Sequence, residues 1–397
     1  MTNLLLTACL ALALVSPSSG DSEVHWRGKA YTPATLPATF DLRMREVVVR
    51  WGAFARSNEL RFDVDANGRF VVLSPQASQY VEHAKPLIDK TFDLAERALP
   101  TPPPRTVTAE APVGPAAKPA DEPTPLPEDP EEPPAGAPPP TGKTAGAEVR
   151  TVTAVELAPA PAVILLLQNH AAYERSVHYL VALESYLKPW VDEASTESGY
   201  ALERPLCGSM VIDQPDQEEW NPDNEIVNRC MQLAVLQRSG RQPNWIMQGL
   251  GWYAEFELQG SAYCFPYRHE FVSIAEHSDW DELLANRYGG RDATPLEFAD
   301  LVECKRGSWN TAAAHRAWGA IDYLVRKDGA ALSALLQDLR AETVAKSRRD
   351  LPDGTWITET GFELPTADQE RLLLLRFGPK VVADMQRAWS RGGDRKR

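Results

Sequence analysis

Positive charge is scarce: 41 Lys and Arg stand against 55 Asp and Glu, a formal net charge of -14 over 397 residues. A nucleic-acid binder needs clustered Lys and Arg to neutralise phosphates, so that class is excluded. The one basic cluster, Arg391 to Arg397, follows the last apolar periodicity and reads as a solvated tail. No apolar run reaches the roughly 18 residues that cross a bilayer, so no transmembrane segment is expected in the mature protein. Cysteines spaced C-x-x-C are missing, which excludes a zinc ribbon. An intact H-E-x-x-H string is missing as well, although the protein has seven histidines.

What is present begins with the apolar run Leu4 to Val15, followed by Ser16-Pro17-Ser18-Ser19-Gly20. The run is too short to span a membrane, and small residues precede a cut at Gly20/Asp21, so residues 1–20 read as a signal peptide. The expected location is secreted or periplasmic. Leu6-Thr7-Ala8-Cys9 is similar to a bacterial lipoprotein box, but most of the apolar run follows Cys9 instead of preceding it. Cys207, Cys230, Cys264 and Cys304 survive cleavage, and in an oxidising compartment they are structural thiols or disulfides whose pairing the sequence leaves open.

Between Pro100 and Pro140 lie 16 of the 33 prolines, almost without large apolar residues. Such a stretch buries too little surface to offset conformational entropy, so 101–148 is expected to be disordered. Before it, Phe70 to Ser74 reads as a strand within a segment spanning 61–100. Ser78 to Leu99 reads as a helix through Val81, Ala84, Ile88, Phe92 and Ala95, with a possible kink at Pro86. After it, Val149 to Leu157 and Ala162 to Leu167 read as strands, Ala171 to Leu187 as a helix, and Gly199 to Asp213 as strand material. One strand and one helix make no stable domain, so the insertion is expected to interrupt a single domain that resumes at 149–270. Residues 21–60 are an N-terminal segment to which no element is assigned. Residues 271–397 read as helical packing, with Trp309 to Lys327 closed by Gly329, then Ala331 to Leu339 and Pro379 to Trp389.

One constellation carries chemistry. Asn221-Pro222-Asp223 opens a helix: Asn is a favoured N-cap, Pro suits the first turn and an early acid complements the dipole. The helix then runs Asn224-Glu225-Ile226-Val227-Asn228, placing Asn224 and Asn228 on one face at the spacing with which two histidines of H-E-x-x-H grip zinc. A second helix follows Pro243, reading Trp245-Ile246-Met247-Gln248-Gly249-Leu250-Gly251-Trp252-Tyr253-Ala254-Glu255. It resembles the W-L-x-E-G-L-A-x-Y segment of peptidase MA-like, gluzincin-type zinc metallopeptidases, whose third ligand is the Glu before the Gly. Gln248 stands at that position, 20 residues after Asn228.

The resemblance implies a zincin-like α+β fold, a small mixed sheet packed on helices with a helical C-terminal part. It also implies zinc, but with Asn224, Asn228 and Gln248 at the three ligand positions no zinc cofactor is expected. Glu225, at the general-base position, would have no metal-bound water to deprotonate. His269-Glu270 starts like the motif, but His277 is rotated from His269 by roughly 80° on an ideal helix. His170, His178 and His315 fall singly. The leading expectation is therefore a pseudopeptidase that binds or scaffolds a peptide or an envelope protein, with Trp245, Trp252 and Tyr253 lining the former cleft or else forming plain core. An active metallohydrolase with a relocated site and a structural envelope protein are the alternatives.

Overall fold

The computed structural model describes residues 22–75, 79–101, 160–195, 197, 199–213, 221–265, 277–290, 293–303, 310–350, 356–358 and 361–391. Residues 1–20, read as a signal peptide, the expected insertion beyond Thr101, the strand expected at 149–157, His269-Glu270, Cys304 and the basic tail beyond Arg391 lie outside the described residues.

The architecture is α+β. Strands β1 (Val24–Trp26), β2 (Lys29–Tyr31), β3 (Leu60–Val64), β4 (Phe70–Pro75), β5 (Ala162–Leu167), β6 (Gly199–Leu202) and β7 (Cys207–Val211) form one mixed sheet in the order β2-β1-β3-β4-β5-β7-β6. β4, β5 and β7 run parallel, while β3 and β6 pair antiparallel to their neighbours β4 and β7. Every residue of β5 is buried. Its unbroken run Ala-Val-Ile-Leu-Leu-Leu is what a strand covered on both faces requires. Ala162, Ile164 and Leu166 join the core on one face, and Val163, Leu165 and Leu167 join the core on the other.

Helices α1 (Leu42–Ser57) and α3 (His170–Leu183) cover the second of these faces. Helix α2 (Gln79–Ala98) covers the first, with α5 (Pro222–Ser239) beside it; the single turn α4 (Val191–Ala194) precedes β6. The 79–98 helix runs through Pro86 without a break. Outside α5 pack α6 (Asn244–Gln259), α7 (Trp280–Tyr288), α8 (Phe298–Leu301), α9 (Thr311–Ser347), α10 (Thr366–Phe377) and α11 (Val381–Ser390), a helical C-terminal region. Helix α9 bends at Asp328, whose φ of -169 and ψ of 94 leave the helical region and whose carboxylate caps Ala331 N–H at 2.9 Å. Gly329 does not cap the first half in a left-handed conformation. It allows close approach, since a Cβ there would stand 2.4 Å from the Ala98 carbonyl oxygen.

Two features go beyond the sequence reading. Residues 21–60, the N-terminal segment with no assigned element, supply β1, β2 and α1. Gly199 to Asp213 is a hairpin, β6 folding back on β7, and β6 forms the sheet edge. Among the described residues, no helix is long and apolar enough to cross a membrane.

Candidate functional site

Helix α5 starts as its sequence dictates. The Asn221 side chain accepts from Asp223 N–H at 2.9 Å and Asn224 N–H at 3.4 Å, Pro222 occupies the first turn, and Gly240 at φ 63 ends the helix. Four residues later α6 begins, running until Gly260 adopts the left-handed conformation at φ 74. So short a connection makes the helices antiparallel neighbours, so that the start of α5 lies against the end of α6. Gly251 permits this contact. A Cβ there would fall 2.6 Å from Asn228 Nδ2.

Between the two helices lies a buried polar seam centred on Glu255. Asn224 Nδ2 donates to Glu255 Oε2 at 2.8 Å, and Asn228 Nδ2 donates to Oε1 at 2.7 Å. The backbone N–H groups of Tyr263 and Cys264 reach Oε2 at 2.6 and 3.2 Å. Asn228 Oδ1 in turn accepts from Gln232 Nε2 at 2.7 Å, and Asn224 Nδ2 also donates to the Ser261 carbonyl at 2.6 Å. Asn224, Asn228 and Glu255 are all 0% exposed. Burial pushes the Glu255 carboxyl up to about 7, while the N–H donors pull the other way.

Residues 225 and 229 lie about 100° further round α5 and face the sheet instead. Arg229 Nε donates to Glu225 Oε1 at 2.9 Å, and Glu225 is 1% exposed. The pair presses on the edge strand, where a Cβ on Gly199 would stand 2.6 Å from Glu225 Oε1 and 3.2 Å from Arg229 Nε. A general base needs a path to substrate and a free lone pair. Glu225 is enclosed and committed to Arg229.

The residues singled out in the sequence are thus only partly brought together. Asn224 and Asn228 share one buried face, but their common partner is Glu255 and not Gln248. Gln248 is half-buried two turns away along α6, about 10 Å of helical rise, and among the described residues no hydrogen bond joins it to either asparagine. Trp245, Trp252 and Tyr253 line no groove. All three are buried, with Trp245 Nε1 donating to Gln369 Oε1 at 3.0 Å and Trp252 Nε1 to the Cys264 carbonyl at 2.8 Å. Trp252 packs edge-on to Trp280, with centroids 5.6 Å apart, so these aromatics are core.

His277 is buried, hydrogen-bonded through Nδ1 to the Ala262 carbonyl at 2.6 Å and stacked on Tyr263. His315 packs on Trp280 at 4.7 Å, and burial pushes its pKa down to about 4. Cys207 and Cys230 are buried thiols raised well above the ordinary range by desolvation, and Cys264 is buried as well. Sequence reasoning missed Glu255, Gln232 and Arg229. The i, i+4 step from Asn228 to Gln232 and the i, i+7 step from Gln248 to Glu255 were the available signals.

A zinc ion does not fit this donor set. Both Glu255 oxygens are taken by N–H groups, and the amide nitrogens of Asn224 and Asn228 point their hydrogens at the place where a cation would seek lone pairs. Among the described residues, no three His, Cys, Asp or Glu side chains are grouped to hold a metal. What the seam does is tie α5, α6 and the 261–264 segment together by charge-assisted hydrogen bonds. Comparison with protein-family models, with curated proteins and with solved structures finds no match.

Proposed function

We propose that this protein is a degenerate relative of the peptidase MA-like zinc metallopeptidases, a zincin-like scaffold kept without hydrolytic chemistry and exported as a binding or scaffolding module for a peptide or an envelope protein. One observation carries the reading. A single buried carboxylate, Glu255, accepts hydrogen bonds from the δ-nitrogens of both residues of an i, i+4 pair on the facing helix. Metal-binding histidines typically donate their spare ring nitrogen to such a carboxylate, which orients the imidazole for the metal. Asn Nδ2 and His Nδ1 sit at the same remove from the backbone, so an asparagine can inherit that hydrogen bond when the imidazole is lost. On this reading Glu255 is the surviving orienting group. The direct link from the asparagines to Glu255 has taken over the tie between helices that a metal would otherwise make.

The loss of catalysis follows from two facts of chemistry. Amides at 224, 228 and 248 supply no anionic or imidazole ligand to lower the pKa of bound water. Glu225 is buried against Arg229 and cannot serve as a base for an incoming substrate.

The test is restoration. Asn224→His and Asn228→His in one variant should produce zinc stoichiometry above the parent by elemental analysis, with a rise in thermal stability on adding the metal. The side chains of 224 and 228 would keep their Glu255 hydrogen bonds through Nδ1, leaving Nε2 for the ion. A folded double variant that gains no zinc would sink the proposal, because the two ring nitrogens held facing away from Glu255 would then not converge on an ion.

A further inference from the structure

The tip of the β3–β4 hairpin is chemically distinct from the rest of the molecule. It reads Asp65-Ala66-Asn67-Gly68-Arg69, and among ten asparagines Asn67 alone precedes a glycine. Asn67 is exposed. Gly68 has φ +76, where it forms the left-handed position of the turn and has no side chain to shield its nitrogen. The other asparagines with described roles are occupied: Asn169, Asn221 and Asn310 cap helices, and Asn224 and Asn228 are fully buried.

We propose that Asn67 is a site of spontaneous deamidation, at which the hairpin tip converts to aspartate and isoaspartate. The Gly68 backbone nitrogen gives its proton to solvent base and attacks Asn67 Cγ. A new carbon–nitrogen bond forms, closing a succinimide ring, while the bond from Cγ to Nδ2 breaks and the amide nitrogen leaves as ammonia with a proton from water. Water then opens the ring at either carbonyl. One opening gives aspartate; the other routes the backbone through Cγ of residue 67 and gives isoaspartate. No oxidant, metal or cofactor enters the balance.

The surrounding contacts set both the rate and the consequence. Gly68 N–H donates to the Asp65 carbonyl at 3.1 Å, so attack draws on the fraction of molecules in which this turn has opened. The turn is held by the Asp65 carboxylate, which accepts from Arg69 N–H at 2.9 Å and from Arg69 Nε at 3.2 Å. Arg69 reaches on to Asp93 at 2.6 Å and Asp89 at 3.0 Å of α2, with Glu96 at 3.8 Å. Conversion at position 67 adds a negative charge beside this cluster of four carboxylates around one guanidinium. The isoaspartyl form also lengthens the backbone between β3 and β4, loosening the clamp on α2.

The experiment is incubation of the folded full-length protein at mildly alkaline pH. It is followed by peptide mapping that separates aspartyl from isoaspartyl products, and by labelled-methyl transfer with an isoaspartyl methyltransferase. Expected is accumulation of both products at Asn67 with the buried asparagines intact. Asp65→Ala should accelerate conversion severalfold by freeing the turn. Gly68→Ala should slow it severalfold; its Cβ has room, 3.5 Å from Met44 Cε, although the positive φ is unfavourable. Asn67→Asp, checked by circular dichroism, reports the charge effect apart from the backbone change. The proposal is overturned if Asn67 stays intact in the folded protein over a period in which the urea-unfolded protein deamidates there. Equal rates in the parent and Asp65→Ala would overturn the gating by the Arg69 clamp.

Discussion

Raising the pH should weaken this fold through Glu255. In the unfolded state its carboxyl titrates near the ordinary 4.5, whereas burial between α5 and α6 moves it up to about 7. Between those values the folded protein holds a proton that the unfolded state has released, so stability falls as pH rises. The contribution is complete below about 4.5, is lost through about 7 and stays flat above that. The span is about 2.5 pH units, and at roughly 1.4 kcal/mol for each it amounts to ~3 kcal/mol. Glu255→Gln is the control, because a glutamine keeps the shape of the protonated carboxyl and cannot titrate. Urea unfolding of parent and variant at intervals from pH 5 to pH 8.5 gives the difference in unfolding free energy at each pH. That difference should shift in the variant's favour by about 2–3 kcal/mol on going to alkaline pH. Parallel curves would refute the reasoning. They would mean that the four N–H donors from Asn224, Asn228, Tyr263 and Cys264 fully offset desolvation and that the carboxylate is ionised throughout.

His315 works in the opposite sense: its pKa is lowered from 6.5 to about 4 by burial, so its contribution is full above about 6.5 and is lost as pH falls toward 4. His315→Phe should flatten that acid limb in the same unfolding series. Gly251→Ala puts a methyl group 2.6 Å from Asn228 Nδ2, and the overpacking should cost about 1–3 kcal/mol by denaturant titration. Replacing 103–158 by a short Gly/Ser linker should leave the thermal midpoint within a few degrees. Both flanks are anchored on adjacent residues of α5, Gln237 to the Ala160 carbonyl at 2.7 Å and Arg238 to Thr101 Oγ1 at 3.1 Å, and halving a loop changes its closure cost by only about 0.6 kcal/mol.

The parts of the fold legible in the sequence were those with long patterns. β5 announced itself by an unbroken apolar run and α2 by its periodicity, and α5 by an asparagine, a proline and an acid in order. Strands β1 and β2, three residues each, are too short for alternation to register, so the pattern of 21–60 stayed dark although it completes the sheet. In the site, the face shared by Asn224 and Asn228 followed from helical spacing alone. Its partner did not, because which turn of α6 meets which turn of α5 depends on the connection at 240–243 and on the close approach at Gly251. That register brought Glu255 to the asparagines and left Gln248 two turns off. Helix α5 buries Asn224, Glu225, Asn228 and Gln232, residues whose polarity would place them on a solvated face. Only a structure shows that these groups are hydrogen-bonded inside the protein, with the Asn224 side-chain oxygen left without a partner among the described residues.

Strand β5 has a consequence for how the molecule yields under stress. Like its neighbours β4 and β7, it lends alternate side chains to both cores, one gathered around Trp51 on α1 and the other around Trp252 on α6. Neither helical layer can therefore be stripped from the sheet without uncovering three same-face residues of a strand that the other layer needs in place. Separate softening of the two halves is denied by a six-residue hinge common to both, so slow proton exchange in α1 and α3 and in α5 and α6 should report one shared opening event.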